Sequence, residues 1–514
     1  MICKGVIAAF IATVALVGAA TAAAAAPNTW TAANPLSAAR GSHVAAPLPG
    51  GKVLVAGGTT DGSSCLTSAE IYTPATNTWT PAASMGSARC GAAAVALSGG
   101  KVLVAGGGTS ATNPATGFNT GEVYDPAANS WTAVSNTMSS YRFLHPVAVV
   151  MANGQVLIAG GVDHSANALK TADVYNPATN SFAATNSMGT GRAFASAVLL
   201  STGSVLVAGG TTGSPANTPS STGEVYNPTS ASWTPVTGST SQPRAGASAA
   251  ALPGGKALIA GGAMYSISGS TETAQGESST DIYNASTNSF TPGPAMATAR
   301  SNFGIAPLAG GRVVVGGGFT TLTVNFMTGT AVATPTSSSE VYDAASNTWT
   351  TAGPQPTAVI APTFTALSSG QVLSAGGTGS DTHTGSNEAA LFTPAPLPTP
   401  PGPSHLKPKL KITGLHKHIK RKRLLRRGLK FTLKPNEAVK LRITLLARGK
   451  HGRKFKVTLA KKTFKLSANK RTVVLKLKRK RFRHVRRKVL EVMIVARDAT
   501  GSKTTTIRKI KVSG

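Results

Sequence analysis

The chain has 514 residues and a formal net charge of +33, from 50 Lys and Arg against 17 Asp and Glu. The charge is divided sharply: residues 1–404 hold 12 basic and 14 acidic residues, net −2, and residues 405–514 hold 38 against 3, net +35. The only apolar run of spanning length lies at the start, which excludes a multi-pass membrane protein built from helices. Lys4, the apolar stretch Gly5–Ala20 and small residues up to Ala26 read as an export signal cleaved after Ala25, so residues 1–25 are a signal peptide. A membrane anchor fits less well, because small residues interrupt the stretch and it runs into the cleavage motif. Cys3 precedes the apolar stretch, so it is not placed as a lipid-attachment cysteine. The mature chain is expected to be secreted or held at the cell surface, with no transmembrane anchor.

From residue 28 a pattern recurs. Seven short apolar runs end in a Gly pair: Gly57-Gly58, Gly106-Gly107, Gly160-Gly161, Gly209-Gly210, Gly261-Gly262, Gly316-Gly317 and Gly376-Gly377. The first glycines are 49, 54, 49, 52, 55 and 60 residues apart, the mark of a repeat array. After each pair comes a variable polar loop, then in six of seven copies an acid two places before an aromatic (Glu70-Ile71-Tyr72), then an Asn-, Thr- and Ser-rich turn. A second aromatic follows, as in Asn77-Thr78-Trp79-Thr80, and six of the seven copies open with an Arg before an Ala-rich apolar run. Runs such as Val53-Leu54-Val55-Ala56 suit strands buried on both faces. Four strands per period make a small sheet that cannot bury its faces alone, whereas seven arranged radially can. The sequence over residues 28–394 resembles the kelch repeat, and that resemblance implies a seven-bladed β-propeller.

Ring closure is legible in a missing piece. Trp79, Trp131, Phe182, Trp233, Phe290 and Trp349 hold the second-aromatic slot, but the seventh copy stops after Phe392. The absent strand lies at the other end, where Asn28-Thr29-Trp30-Thr31 copies Asn77-Thr78-Trp79-Thr80. The N-terminal strand is therefore expected to complete the last blade and remove an open edge. Signal cleavage leaves Cys65 and Cys90, which in an exported protein read most simply as a disulfide, the two loop types sharing one propeller face.

The Arg at the start of each blade has two readings. Arg40, Arg89, Arg142, Arg192, Arg244 and Arg300 could ring one mouth and bind acidic peptides, as arginine rings in some kelch proteins do. Alternatively each pairs with the acid of its own blade: Glu70, Glu122, Asp173, Glu224, Asp281 and Glu340. In the seventh copy Ala390 takes the acid slot and no Arg precedes the strand near Val359. Joint loss favours the ion pair, because removing one partner strands a buried charge at a cost of about 3–5 kcal/mol.

The architecture also resembles galactose-oxidase-like copper enzymes, which join a kelch propeller to a C-terminal immunoglobulin-like domain. That resemblance implies a Tyr–Cys crosslink, a Tyr followed by His, and a further His. No Tyr-His dipeptide occurs here, and His43, His145, His164 and His383 are isolated. His405, His416, His418, His451 and His484 lie in basic runs that repel a cation. GxSxG, HExxH and P-loop motifs are absent too, so no catalytic residue, cofactor or metal is assigned. The variable loops remain as binding elements, longest at Ala263–Ser279 and Phe319–Ser338, with Met264, Tyr265, Phe319 and Phe326; solvated insertion is the equal alternative.

A Pro-rich linker (395–404) leads to residues 405–514. Strands are expected at Leu429–Leu433, Val439–Leu446, around Phe455-Lys456-Val457, at Leu475–Lys478, Val489–Val495 and Thr505–Val512. About seven in this length suggest a basic immunoglobulin-like sandwich. Lys420, Arg421, Lys422, Arg423, Arg426, Arg427, Lys478, Arg479, Lys480, Arg481, Arg486, Arg487 and Lys488 are the candidate polyanion-binding residues. Export and the lack of Tyr or Trp for base stacking disfavour nucleic acid. An anionic cell-envelope polymer or polysaccharide fits better, with a protein or glycan on the propeller face. The whole chain is thus expected to be all-β: residues 26–394 a propeller, then the basic sandwich. Its expected role is non-enzymatic recognition or adhesion, with a secreted carbohydrate-active or copper-radical enzyme as the alternative.

Overall fold

The computed structural model describes residues 27–214, 217–397, 410–416, 418–427, 429–435, 439–448, 456–466, 471–475, 489–497 and 503–513. The signal-peptide reading of residues 1–25 lies outside them. The chain divides into two compact units, at Leu397 and Pro398. Residues 395–397, assigned from sequence to the linker, belong to the first unit. Ala395 N–H donates to Asn28 Oδ1 at 2.8 Å, and its carbonyl accepts from Arg312 Nη2 at 2.8 Å.

The first unit repeats one sheet seven times. In blade one the antiparallel strands Val44–Pro47, Val53–Ala56, Ala69–Thr73 and Thr78–Ala82 lie side by side in chain order. The second is buried on both faces, as its uninterrupted apolar run requires. The innermost strands of successive blades touch one another, and the first touches that of the seventh, Thr363–Ala366, closing the ring. Thr29–Ala32 forms the outer strand of the seventh sheet, with Trp30 opposite Phe392 as Trp79 is opposite Tyr72. Apolar side chains from neighbouring blades share single clusters: Leu54 and Ala69 of blade one pack with Val104 and Tyr124 of blade two.

Three polar devices repeat with the sheet. Tyr72, Tyr124, Tyr175, Tyr283 and Tyr342 each donate from the hydroxyl to the Asn five residues later, at 2.8–3.0 Å. Those Asn residues hold positive φ in the turn, which Asn tolerates better than most side chains. Trp79, Trp131, Trp233 and Trp349 donate from the indole to the carbonyls of Asn34, Ala83, Asn186 and Pro294, in the links entering their blades. The third device is the arginine. All six are at most 2% exposed and pair with the acid of their own blade at 2.5–3.4 Å. Each also donates from Nη1 to the carbonyl of the first Gly of its pair, at 2.7–3.0 Å. The carboxylates accept backbone N–H groups from the entering link, such as Gly86 and Ser87 on Glu122.

One repeat boundary differs from its sequence reading. The residues with paired positive φ in blade six are Gly317 and Gly318, and Arg300 bonds Gly317, so the structural pair lies one residue later. Three consecutive glycines hide the register. Gly316 instead ends the strand Arg312–Gly316 opposite Ser339.

The loops of blades five and six do not remain loops. Ala263–Ser268 with Thr271–Gly276, and Phe319–Asn325 with Thr330–Pro335, are two hairpins that join into one extra four-stranded sheet. Tyr265, Ala274, Leu322 and Ala333 share one of its faces and pack with Ile360 and Ala361 of blade seven. Alternation along Thr321-Leu322-Thr323-Val324-Asn325 is the sequence signal for this sheet, broken by a register shift at Phe319 and obscured by the Ser and Thr content.

The second unit is a sandwich. Leu410–Thr413, Leu429–Pro435 and Arg471–Leu475 form one sheet; His418–Lys420, Lys503–Ser513, Val489–Arg497, Val439–Arg448 and Lys456–Leu466 form the other, in that order. Leu429, Phe431, Leu433 and Val473 from the first meet Leu441, Ile443, Val492 and Ile494 from the second in one core. The intervening Lys430, Lys434, Lys440 and Arg442 are exposed, so period-two alternation puts the charge outside. The run Arg421–Arg427, read from sequence only as charge, forms a helix anchored by the buried Leu424.

Candidate functional site

At the propeller mouth, two residues after each arginine position, a backbone of positive φ opens every inner strand. These residues are Ser42, Gly91, Leu144, Phe194, Gly246, Asn302 and Ala361, with φ between 49° and 64°. The conformation turns main-chain groups around the ring. Gly91 N–H donates to Ser42 O, Gly246 to Phe194, Asn302 to Gly246 and Ala361 to Asn302, at 2.7–3.1 Å. The strain of non-Gly residues here is thus offset by bonds between blades. Inside this collar lies a cavity of about 240 Å³ lined by Ser42, His43, His145, Phe194, Ser248, Asn302, Phe303 and Thr363 among others, with no Lys, Arg, Asp or Glu.

His43 is buried and its Nε2 lies 3.0 Å from Thr363 Oγ1, while Nδ1 has no partner. Burial, reinforced by nearby Arg40, lowers its pKa from 6.5 to about 4. His145 is lowered by burial as well. Both imidazoles are therefore neutral at pH 7. The mouth presents hydroxyl, amide, imidazole and aromatic groups without net charge, a set suited to neutral polar ligands and not to ions.

The six arginines do not reach this mouth as free cations. Burial pulls their pKa values down and the facing carboxylates push back, and their Nη1 donors are spent on Gly carbonyls, while Nε of Arg142, Arg192, Arg244 and Arg300 is buried without a partner among the described residues. Cys65 and Cys90 are bonded to each other, with Cα atoms 5.5 Å apart, joining the loop of blade one to the first strand of blade two. On the extra sheet, Phe319 is buried and Tyr265 half-buried, whereas Met264, Ile267, Phe326, Met327 and Val332 are exposed. Ile267, Met327 and Val332 were not singled out in the sequence.

The basic unit has its own hollow, of about 770 Å³. Its polar lining includes His416, His418, Lys420, Arg423, Arg427 and Lys430, and Ile419, Phe431 and Val474 contribute apolar surface. Arg423 and Arg427, four residues apart, share a helix face. Arg426 is exposed but does not line the hollow. Of the other sequence candidates, Arg421 and Lys422 lie on the helix, and Lys478, Arg479, Lys480, Arg481, Arg486, Arg487 and Lys488 fall outside the described residues. His416, His418 and Lys430 are additions that only the fold brings to this place. Among the described residues no cation of this unit is in an ion pair, and no helix is long and apolar enough to cross a membrane.

Known proteins give the following likenesses. The kelch motif profile matches residues 40–86, 89–138, 144–189 and 193–239. No curated protein matches the sequence. Among solved structures, a fungal alcohol oxidase described as having catalytic diversity among the AA5 family, in complex with copper, superposes with a TM-score of 0.56. The two are 15% identical over 94% of this chain and 99% of that one. The structure of YjhT has a TM-score of 0.47, at 16% identity over 63% of this chain and all of its own.

The residues present do not fit a copper centre of that kind. Among the described residues no three His, Cys, Asp or Glu side chains gather, Cys65 and Cys90 are used by their disulfide, and five inter-blade tyrosines bond Asn. With motif matches in blades one to four, and the same glycines, aromatics and strand order in blades five to seven, residues 27–397 form a seven-bladed kelch β-propeller.

Proposed function

We propose that this is an exported recognition or adhesion protein without catalytic activity. Its propeller is the ligand-binding platform, and its basic sandwich, which we read as immunoglobulin-like, docks to an anionic surface polymer. The observation that carries this reading is the segregation of charge. The six blade arginines are consumed in buried pairs, while among the described residues the basic unit turns Lys and Arg without ion-pair partners outward around a cationic hollow. Such a surface produces a field that draws polyanions with little stereochemical choice, over a range near one Debye length, about 8 Å at physiological salt. The uncharged mouth offers the second contact, to a neutral glycan or a peptide group.

Retention of the full chain on heparin or anionic vesicles tests the docking. It should fall steeply with salt and weaken when Lys420–Arg423, Arg426 and Arg427 are together replaced by Ser. Binding that persists at high salt, or ignores these substitutions, overturns it. A secreted carbohydrate-active or copper-radical enzyme is the second reading, favoured by the fold shared with the alcohol oxidase and opposed by the donor set. Stoichiometric copper with H2O2 release from sugar alcohols would establish it.

A further inference from the structure

We propose that the hollow of the basic unit is a discrete binding site for a ligand carrying adjacent phosphate groups, distinct from the diffuse charge of the rest of that surface. The inference rests on the docking reading above and narrows it to one place and one chemistry.

Four cations converge there from three elements. Lys420 ends the strand His418–Lys420, and the helix Arg421–Arg427 begins at the next residue. Leu424 is wholly buried in the core and fixes the rotation of the helix, so Arg423 and Arg427 face the hollow together while Arg426 does not line it. Lys430 enters from the other sheet, paired with Val474, because the flanking Leu429 and Phe431 point into the core. The hollow therefore spans the two sheets instead of lying on one flat face. No acidic side chain lines it, and none of the four cations has an ion-pair partner among the described residues.

The guanidinium fork matches two oxygens of a phosphate, and lysine adds a mobile point charge. Two arginines and two lysines about one hollow of about 770 Å³ exceed what a single oxyanion needs in charge and in room. A run of neighbouring phosphates satisfies both. Carboxylates spaced one per sugar along a polysaccharide meet the general field but cannot engage all four groups in so small a volume.

Tripolyphosphate titrated into the full chain by calorimetry at physiological salt is the test. One saturable site per chain is expected. Arg423→Gln with Arg427→Gln should weaken it by about tenfold or more, and Arg423→Lys with Arg427→Lys by a smaller factor, since charge remains and the fork is lost. Arg442→Gln with Arg497→Gln removes the same charge from exposed positions elsewhere and should change affinity by less than about twofold. Equal weakening by the two Gln pairs, or binding that never saturates, overturns the discrete site. Citrate, a tricarboxylate, should bind much more weakly; equal affinity would overturn the phosphate assignment. Heparin retention of the unsubstituted chain reads the docking proposal separately. If it is absent, that reading falls; if it is present but the Gln pairs behave alike, only the site falls.

Discussion

Six blades and the seventh solve the same packing problem by different means. Blades one to six bury an Arg and an acid between the entering link and the third strand. Blade seven has Val359 and Ala390 at those positions, with Gln355 reaching Ser374 at 3.4 Å. Nothing in the strand order changes, so the ion pair is not what makes a blade. Blade seven is instead distinguished by its outer strand, which the start of the chain supplies: Trp30 packs against Phe364 and Phe392 and donates to Ser339 Oγ of blade six at 2.9 Å. The comparison teaches that the pair secures the link between blades, and that the seam secures itself through apolar contact and strand pairing. A buried pair contributes little net stability over apolar contact, yet losing one member is severe.

The seam should therefore be the most sensitive place. Deleting residues 27–33 is expected to lower the unfolding free energy by more than about 5 kcal/mol, since burial of a Trp alone accounts for about 3–5 kcal/mol and an edge opens as well. An unchanged melting temperature would refute closure by this strand. In an ordinary blade, Arg142→Met leaves Asp173 buried without its partner and should cost about 3–5 kcal/mol. Adding Asp173→Leu should recover part of that loss, which denaturant titration of the three variants will show.

His43 carries a third prediction, at the contact of blade one with blade seven through Thr363. Its folded pKa is lowered to about 4 from 6.5, so below pH 6.5 the unfolded chain takes up a proton that the folded chain refuses. Stability should fall as pH drops from 6.5 to 4, by about 3 kcal/mol, and His43→Gln should flatten that part of the profile. An identical profile in the variant would remove His43 from the seam. The smallest effect concerns repair: Val359→Arg alone should destabilise strongly, and Ala390→Glu added to it should restore about 1–3 kcal/mol through coupling. Strict additivity would show that the pair depends on surroundings blade seven lacks.

Much of the propeller was legible because each blade repeats its chemistry. The transplanted Asn-Thr-Trp-Thr strand and the joint absence of Arg and acid in the seventh copy could be read against six internal controls. Where no control existed, reading was harder. Gly316, Gly317 and Gly318 offer two indistinguishable pairs until φ is known, and the extra sheet arises from two insertions that no other blade shares. In the basic unit the alternation of Leu441, Arg442 and Ile443 announced strands, but the same charge density concealed the helix at Arg421–Arg427. Its Leu424 and Leu425 were the available signal. The mouth cavity depends on residues brought together from six blades, which no local spacing reveals.

The pairing of Thr29 with Thr393 also fixes an order of events. On the growing chain the strand that completes the ring is made first and its partner last among the blades. Until Phe392 has emerged, Trp30 can reach Ser339 and Phe364 but its strand has no partner to pair with. Closure is thus the step of highest sequence separation in the domain, and contacts of that kind form slowly. Through that interval the nascent chain is an open arc, exposed to association with other copies at both free edges. Moving residues 28–32 to follow Thr393 would let the final blade form from consecutive strands and shorten the wait.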